Sequence, residues 1–310
     1  MTTDRAGRES VVATAWLLAV DAMTAEVVRA LRTAGIEPLL LKGPVLAAWL
    51  YDEGELRGYG DADLLVDPRR VEDAASVLTE LGFERLPVPW DKWRRLHHAG
   101  DWRRARDGAV VDLHRTLPGV RASPPETVWR LLASHTAPWR LQPGIEVTVL
   151  DERARTMLVA LHAAHHLSHG DLGKRPLKDL ERALARVPQD TWRDAAALAG
   201  ELNAGRDLSR GLHAVSGGAV LAAELGLPDP STGDEELAGF ERLAAARGTR
   251  ARLRALLRSF APTPEFLRWS SPLARRGRLG LFVAYLERPF WLLGQLPRAY
   301  RAWKRGRNRA

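Results

Sequence analysis

The first 120 residues alternate short apolar runs with amphipathic stretches, which is the pattern of a small α/β unit on a mixed sheet. Apolar side chains in residues 9–34 recur near the helical repeat, and Gly35 favours a helix end. The order is helix, strand, helix, strand, helix and hairpin, with Asp107-Gly108 as the hairpin turn. The predicted bounds are 9–34, 38–42, 45–51, 61–67, 68–81, 97–106 and 109–115.

Beyond residue 120 the chain becomes rich in Ala, Leu and Arg, and Pro and Gly separate its helical stretches. Within this part only 140–150 is predicted to be extended. We predict an α/β domain over 1–120, a mostly helical domain over 121–260 and a C-terminal segment over 261–310. The predicted helices are 124–134, 152–169, 176–186, 191–202, 206–225 and 234–259.

The formal net charge of +8 is concentrated at the C-terminal end. Residues 270–310 contain nine Arg, one Lys and one acid, Glu287, a net of +9 that leaves 8 − 9 = −1 for the rest. A near-neutral main body argues against an enzyme that acts on nucleic acid, because a strand-binding groove is basic near its site. Such an enzyme stays open as an alternative.

The same C-terminal segment interleaves aromatic side chains with arginine. This composition is typical of binding to an anionic membrane surface or of docking to an acidic partner. It also suits single-stranded nucleic acid, and the simpler alternative is a helix that packs its aromatic side chains on the helical domain. The aromatic residues are Phe282, Tyr285, Phe290, Trp291, Tyr300 and Trp303.

The absence of cysteine excludes disulfides, thiolate metal sites and cysteine nucleophiles. We predict no transmembrane span, because no apolar run approaches the ~20 residues that cross a bilayer. Asp4 and Glu9 precede the first apolar stretch, which is unlike a secretory signal. The expected location is therefore the cytoplasm.

Two acidic residues stand at the start of the strand predicted over 61–67. Asp61 and Asp63 share one face of that strand, because alternate strand residues point to the same side. Carboxylates so close repel one another unless a cation lies between them. Mg²⁺ prefers such oxygen ligands, and Asp112 on a neighbouring strand can bridge to a second ion. Two ions about 4 Å apart stabilise the attacking and leaving oxygens of a phosphoryl displacement.

A candidate phosphate site precedes these acids. Lys42-Gly43 joins the strand predicted over 38–42 to a helix, and such a junction presents backbone N–H groups to phosphate oxygens. Lys42 adds a positive charge, and Arg57 is a second candidate phosphate ligand. The structural alternative is that acids at a strand start serve as turn and cap residues.

Together, the motifs resemble the uncharacterised nucleotidyltransferase family of the polymerase-β-like superfamily. The resemblance rests on K-G at 42–43, then L-Y, an Arg, D-x-D-L-L-V and V-D-L-H. It covers residues 35–120 and continues weakly into 157–185, through HAAHHLSH and RPLKDL. It implies a nucleotidyltransferase fold, an NTP donor and Mg²⁺. By resemblance, Asp61 and Asp63 are the metal-binding pair and Asp112 is the third acid.

The activity that this resemblance implies is Mg²⁺-dependent transfer of a nucleoside monophosphate to an acceptor, with release of pyrophosphate. The acceptor is a small molecule, a peptide or a protein. Lys42-Gly43 stands where the wider superfamily has Gly-Ser. Two alternatives therefore stay open: a catalytically degenerate binding or scaffold protein, and an RNA terminal nucleotidyltransferase.

Further candidates near this site have more than one interpretation. His114 shares a strand face with Asp112, where it orients the acceptor or a carboxylate, or is a hydrogen-bonded sheet histidine. Lys178 and Asp179 begin a helix and either touch the nucleotide, which the resemblance favours, or form a surface pair.

Four histidines share a helical face that covers the mouth of the site or lies partly in the core, with a zinc site as the alternative. Three tryptophans form either a lid over the nucleotide or part of the core. These residues are His162, His165, His166 and His169, and Trp90, Trp93 and Trp102.

Overall fold

The structure, a computed structural model, describes residues 2–86, 99–120, 123–168, 174–230, 273–274 and 277–287. Seven strands form one mixed sheet: β1 (Leu39–Leu40), β2 (Ala62–Leu65), β3 (Phe83–Arg85), β4 (Ala99–Arg104), β5 (Val110–His114), β6 (Thr136–Gln142) and β7 (Ile145–Leu150). The helices are α1 (Thr2–Thr33), α2 (Pro44–Leu50), α3 (Val71–Glu80), α4 (Pro125–Ala133), α5 (Glu152–Ser168), α6 (Lys174–Arg186), α7 (Gln189–Glu201), α8 (Gly205–Leu212) and α9 (Gly218–Glu224), and residues 277–287 form a further helix.

The strand order is β3-β4-β5-β2-β1-β7-β6, so β2 lies at the centre of the sheet. β2 is parallel to β5, and their register pairs Asp63 with Asp112 and Leu65 with His114. Residues paired across neighbouring strands share one face of the sheet. The pairing therefore brings three of the predicted site residues, Asp63, Asp112 and His114, to the same face.

The hairpin predicted at Asp107-Gly108 is confirmed. Gly108 has a φ of 71°, a left-handed conformation that glycine adopts without steric cost. The carboxylate of Asp107 accepts a hydrogen bond from the Ala109 N–H at 3.1 Å, which closes the turn. The turn aligns β4 antiparallel to β5 and thereby sets Asp101 opposite Asp112.

Alternation along β1 and β2 divides the apolar residues between two cores. Leu40 and Leu64 pack with α1 and α3 on one face. Leu39, Leu41 and Leu65 pack with α5 and the helices that follow it on the other face. Asp63 has the same strand phase as Leu65, so the helical part of the chain covers the face of the sheet that carries the acids.

The predicted fold class, a mixed-sheet α/β unit followed by helices, is confirmed. The extended part of the second half is longer than predicted, since β6 and β7 form a hairpin over 136–150. β7 pairs in parallel with β1, so the sheet continues past residue 120. The Pro, Ala and Arg of β6 hide its strand character in the sequence. The domain bounds stay a prediction, and the helix predicted over 234–259 lies outside the described residues.

One helical stretch, Val11–Thr33, is long and apolar enough to cross a membrane, with a mean hydropathy of 1.7. This differs from the expectation that no segment has that character. Length and composition alone do not distinguish a span from a core helix. Val27, Val28 and Leu31 of this stretch are buried against the sheet, which favours the core helix. The absence of a span stays a prediction.

Candidate active site

Asp63, Asp112 and His114 each offer one ligand atom to a common group, and these atoms lie within 4.8 Å of one another. Two carboxylates and an imidazole can hold a divalent cation. Across the part of the chain that the structure describes, no other such group of three is found. Asp61 is outside this group of ligand atoms. We call Asp61, Asp63, Asp112 and His114 the acid cluster.

Lys42 supplies a positive charge to the acid cluster. Its Nζ lies 2.7 Å from Asp63 Oδ1, and His114 Nε2 lies 3.1 Å from the same oxygen. Lys42 and Asp63 are 63 − 42 = 21 residues apart, but the amide of Leu41 donates to the Asp63 carbonyl at 3.0 Å and aligns the two strands. The end of β1 therefore directs Lys42 towards the acids of β2.

The acid cluster brings three carboxyl groups close together, with the ammonium of Lys42 beside them. Burial, and after it the charge of Asp63, raises the pKa of Asp112 to about 9. The same two causes raise the pKa of Asp61. Burial also opposes the charge on Asp63, but Lys42 and His114 outweigh it and lower the pKa of Asp63. A further cation in this place relieves the repulsion among the carboxylates.

The charge of Lys42 is held by its acidic neighbours. Burial lowers the pKa of an ammonium, but the charge of Asp63 and its hydrogen bond outweigh burial, and the pKa of Lys42 is raised. Gly43 follows with φ 66° and ψ −121°, a conformation that side-chain-bearing residues rarely adopt. The predicted Lys42-Gly43 motif thus places a charged lysine and a constrained glycine beside the acids.

Asp101 also faces the acid cluster, although it has no motif of its own in the sequence. It lies opposite Asp112 in the β4–β5 pairing, and its charge contributes to the raised pKa of Asp112. A two-residue turn at Asp107-Gly108 would pair residue 103 with residue 112. The observed register is offset by two residues and pairs Asp101 with Asp112 instead, so the sequence pattern does not predict the role of Asp101.

Arg57 is buried in an ion pair. Its guanidinium donates to both carboxylate oxygens of Asp179, at 2.9 and 2.6 Å, and the exposed fractions of the two side chains are 5% and 1%. A third contact, from Arg57 to the Gly43 carbonyl, is 3.4 Å long. The Tyr51 hydroxyl donates to Asp179 at 2.8 Å. We call Tyr51, Arg57 and Asp179 the arginine network.

The arginine network changes the interpretation of two predicted residues. The surface pair suggested for Lys178 and Asp179 is wrong, because Asp179 is buried and its partner is Arg57. Arg57 is already neutralised, so its contact with Gly43 makes it a support of the Lys42-Gly43 segment. Direct binding of phosphate by Arg57 stays a prediction.

Lys178 lies at the outer side of the arginine network. Its Nζ is 5.4 Å from the centre of the Tyr51 ring, and the Arg182 guanidinium lies 4.2 Å from the same ring. Both are within the distance of a cation–π contact. Arg182 also pairs with Glu55 at 2.6 Å. Nucleotide binding by Lys178 stays a prediction.

The α5 histidines reach the site from the helical side. His162 Nε2 lies 3.3 Å from Lys42 Nζ and 3.0 Å from His166 Nε2. Burial, and then the charge of Lys42, keeps the pKa of His162 well below its ordinary value. This placement favours the prediction that the histidine face of α5 covers the site. Among the described residues the metal-ligand group includes none of these histidines; His169 lies outside the described residues.

The predicted tryptophans fall into two groups. Trp102 of β4 is buried in the core with α1 and α3, which makes it a core residue and excludes it from a lid. Trp90 and Trp93 lie outside the described residues.

The model of a protein family described as "Uncharacterised nucleotidyltransferase" matches residues 12–216. This is about two thirds of the chain. The match contains both the sheet strands and the helix α5 that carry the residues of the site, since it runs from α1 through the sheet to α8. None of the curated proteins matches the chain. The resemblance found in the sequence motifs is confirmed.

Proposed function

We propose, on the premise that this chain belongs to the uncharacterised nucleotidyltransferase family, that it transfers a nucleoside monophosphate from an NTP to an acceptor and releases pyrophosphate. The acceptor is a small molecule, a peptide or a protein. One observation carries the proposal. The register of β2 and β5 sets Asp63 beside Asp112, with the Lys42 ammonium 2.7 Å from Asp63.

The residues of the acid cluster fit a divalent cation. Asp63, Asp112 and His114 already lie in one ligand group. Burial, and after it the negative charge of the neighbouring acids, raises the pKa of Asp112. Three carboxylates suit Mg²⁺, and we assign two ions to Asp61, Asp63 and Asp112. When bound, the ions neutralise the triphosphate and stabilise the attacking and leaving oxygens. His114 orients the carboxylate of Asp63 through its 3.1 Å contact.

The triphosphate is held by the segment that connects β1 to α2. Lys42 provides an ammonium for a β- or γ-phosphate oxygen, and the Gly43 amide provides an N–H. Arg57 supports this segment through its contact with the Gly43 carbonyl. His162 lies 3.3 Å from Lys42, so the helical side closes over the same phosphate region.

The transfer itself exchanges one phosphorus–oxygen bond for another. A nucleophilic oxygen of the acceptor forms a bond to the α-phosphorus while the bond from that phosphorus to the bridging oxygen breaks. Pyrophosphate leaves with the electron pair of the broken bond. Asp112 accepts the proton of the acceptor. Most of the rate comes from positioning and charge neutralisation, as in other phosphoryl transfers.

The test is release of pyrophosphate from each of the four common NTPs, with Mg²⁺ and a panel of hydroxyl-bearing acceptors. We expect Asp61→Ala and Asp63→Ala to reduce Mg²⁺-dependent turnover by about 100-fold or more. Asp73→Asn, an exposed acid of α3 that pairs with Arg70, is the matched control and keeps full turnover. Full activity in either cluster variant would contradict the proposal.

A second outcome separates catalysis from binding. If the folded wild type binds Mg²⁺ and NTP but releases no pyrophosphate with any acceptor, the degenerate binding or scaffold protein is the better interpretation. In that case Asp63→Ala still weakens nucleotide binding, because Asp63 belongs to the same group of metal ligands in both interpretations.

A further inference from the structure

The helix over 277–287 has a narrow apolar stripe on its outer side. The stripe consists of four residues at spacings i, i+3, i+4 and i+7, which lie on one face of a helix. Their exposed fractions range from 41% to 78%. We call them the apolar stripe: Leu279, Phe282, Val283 and Leu286.

The apolar stripe is not the side on which this helix has its apolar contacts among the described residues. Ala284 is buried together with Ala274, and Leu281 and Tyr285 pack against them. These residues occupy the opposite side of the helix, which already has its apolar contacts. A surface helix of a water-soluble domain presents polar residues on its outer side. A contiguous exposed apolar face instead marks an interaction site.

The sequence around the apolar stripe is strongly basic. Residues 270–310 carry a net charge of +9, with Arg275, Arg276 and Arg278 directly before the stripe. Glu287 is the one acidic residue in this segment. A partner therefore has to bury aliphatic and aromatic side chains and also offer negative charge.

A membrane surface with anionic headgroups has both properties, because its acyl boundary takes up apolar side chains while its headgroups attract arginine. The described part of this helix, residues 277–287, is about 16 Å long and can lie in the interface of a bilayer.

We propose that the apolar stripe binds the surface of an anionic membrane, with the helix over 277–287 parallel to the bilayer and its stripe in the acyl boundary. The positive charge of residues 270–310 selects anionic over neutral lipid. This inference is independent of the nucleotidyltransferase proposal, since it rests on the exposed stripe and the charge of the C-terminal segment.

Flotation of the full chain with lipid vesicles tests the proposal. One set of vesicles contains phosphatidylcholine alone, and the other contains phosphatidylcholine and phosphatidylglycerol in equal amounts. We expect binding to the anionic vesicles and little binding to the neutral ones. Phe282→Glu removes an apolar anchor and adds a negative charge, so binding to the anionic vesicles falls roughly tenfold or more.

The matched control is Glu287→Gln, which changes an exposed polar residue of the same helix outside the apolar stripe. It keeps or strengthens binding, because it removes the segment's acid. Thermal unfolding of both variants shows that each remains folded, since residue 282 is exposed in the native state. Pyrophosphate release without vesicles is a separate readout that these variants leave unchanged.

Several results would overturn the proposal. Equal binding to neutral and anionic vesicles would show that charge does not select the lipid. No binding to either kind of vesicle would show that the stripe does not bind a membrane. Unchanged vesicle binding of Phe282→Glu shows that the stripe is not the contact. Sedimentation showing a dimer that Phe282→Glu dissociates assigns the stripe to a second copy of the chain, and tight binding to polyglutamate that Phe282→Glu weakens assigns it to an acidic protein.

Discussion

The arginine network is buried, and the acid cluster is buried at Asp63 and His114 and half-buried at Asp61 and Asp112, but the charges of the two groups are balanced to different degrees. In the arginine network one guanidinium faces one carboxylate through two hydrogen bonds, and the Tyr51 hydroxyl donates a third. In the acid cluster three carboxylates share the ammonium of Lys42, and the pKa of Asp112 is raised to about 9.

This difference separates a structural role from a functional one. A buried ion pair with complete hydrogen bonding is self-contained, and removing one partner leaves the other charge buried and unpaired. Crowded carboxyl groups in a buried site are relieved either by protonation, as the raised pKa of Asp112 indicates, or by a bound cation. The arginine network therefore fixes the Gly43 segment, whereas we propose that the acid cluster binds a cation.

The largest expected effect concerns the arginine network. Asp179→Ala leaves the Arg57 guanidinium buried without its carboxylate, which costs about 3–5 kcal/mol of the free energy of unfolding. Denaturant unfolding measures this loss. The control is Glu55→Ala, which removes the exposed partner of Arg182 and changes stability little. Equal losses in the two variants would mean that burial of the Arg57–Asp179 pair has no special importance.

A double variant tests whether the arginine network is needed for stability or for positioning the Gly43 segment. Arg57→Met together with Asp179→Leu replaces the ion pair by apolar side chains of similar size, so it restores much of the stability lost in Asp179→Ala. Because the double variant also lacks the contact between Arg57 and the Gly43 carbonyl, we expect its KM for the NTP to be higher than that of the wild type. Recovery of stability with a normal KM would show that Arg57 does not position the Gly43 segment.

The acid cluster is expected to respond to Mg²⁺. At a Mg²⁺ concentration about ten times Kd, binding stabilises the folded state by about 1.4 kcal/mol. Thermal unfolding with and without Mg²⁺ measures the shift. Asp63→Asn abolishes it, whereas Asp73→Asn on α3 retains it. A shift that persists in Asp63→Asn would place the ion elsewhere.

A further expected effect is a pH dependence of the metal-free protein, which tests the acid cluster alone. The pKa of Asp112 is about 9 in the folded state and 3.8 ordinarily, so the folded state binds more protons over this interval. Stability therefore falls as pH rises from about 4 towards 9. Asp112→Asn flattens this dependence. An unchanged slope in this variant, measured by urea unfolding across the interval, would refute the assignment.

The sequence predicts the acids of the site better than their partners. Asp61 and Asp63 follow from strand alternation, and the hairpin turn at Asp107-Gly108 fixes the strand that carries Asp112. Both predictions use patterns that involve only a few neighbouring residues, and such patterns can be recognised in a single sequence. The mixed sheet and the helices after it follow from the same kind of pattern.

Contacts between distant parts of the chain are not accessible in this way. Arg57 has the position of a phosphate ligand just before the D-x-D motif, but its carboxylate partner is Asp179, 122 residues further on. His162 likewise approaches Lys42 across 120 residues. Which helix face meets the sheet decides both contacts, and this depends on the packing of the whole core.

Calorimetric titration of ATP, GTP, CTP and UTP, each with Mg²⁺, into the wild type, Asp63→Ala and Asp73→Asn tests whether the acid cluster binds metal and nucleotide together. We predict Mg²⁺-dependent binding of at least one NTP by the wild type and by Asp73→Asn, and loss of that binding in folded Asp63→Ala. Binding of equal affinity in Asp63→Ala, or binding that does not depend on Mg²⁺, would contradict the assignment of the acid cluster as a metal–nucleotide site.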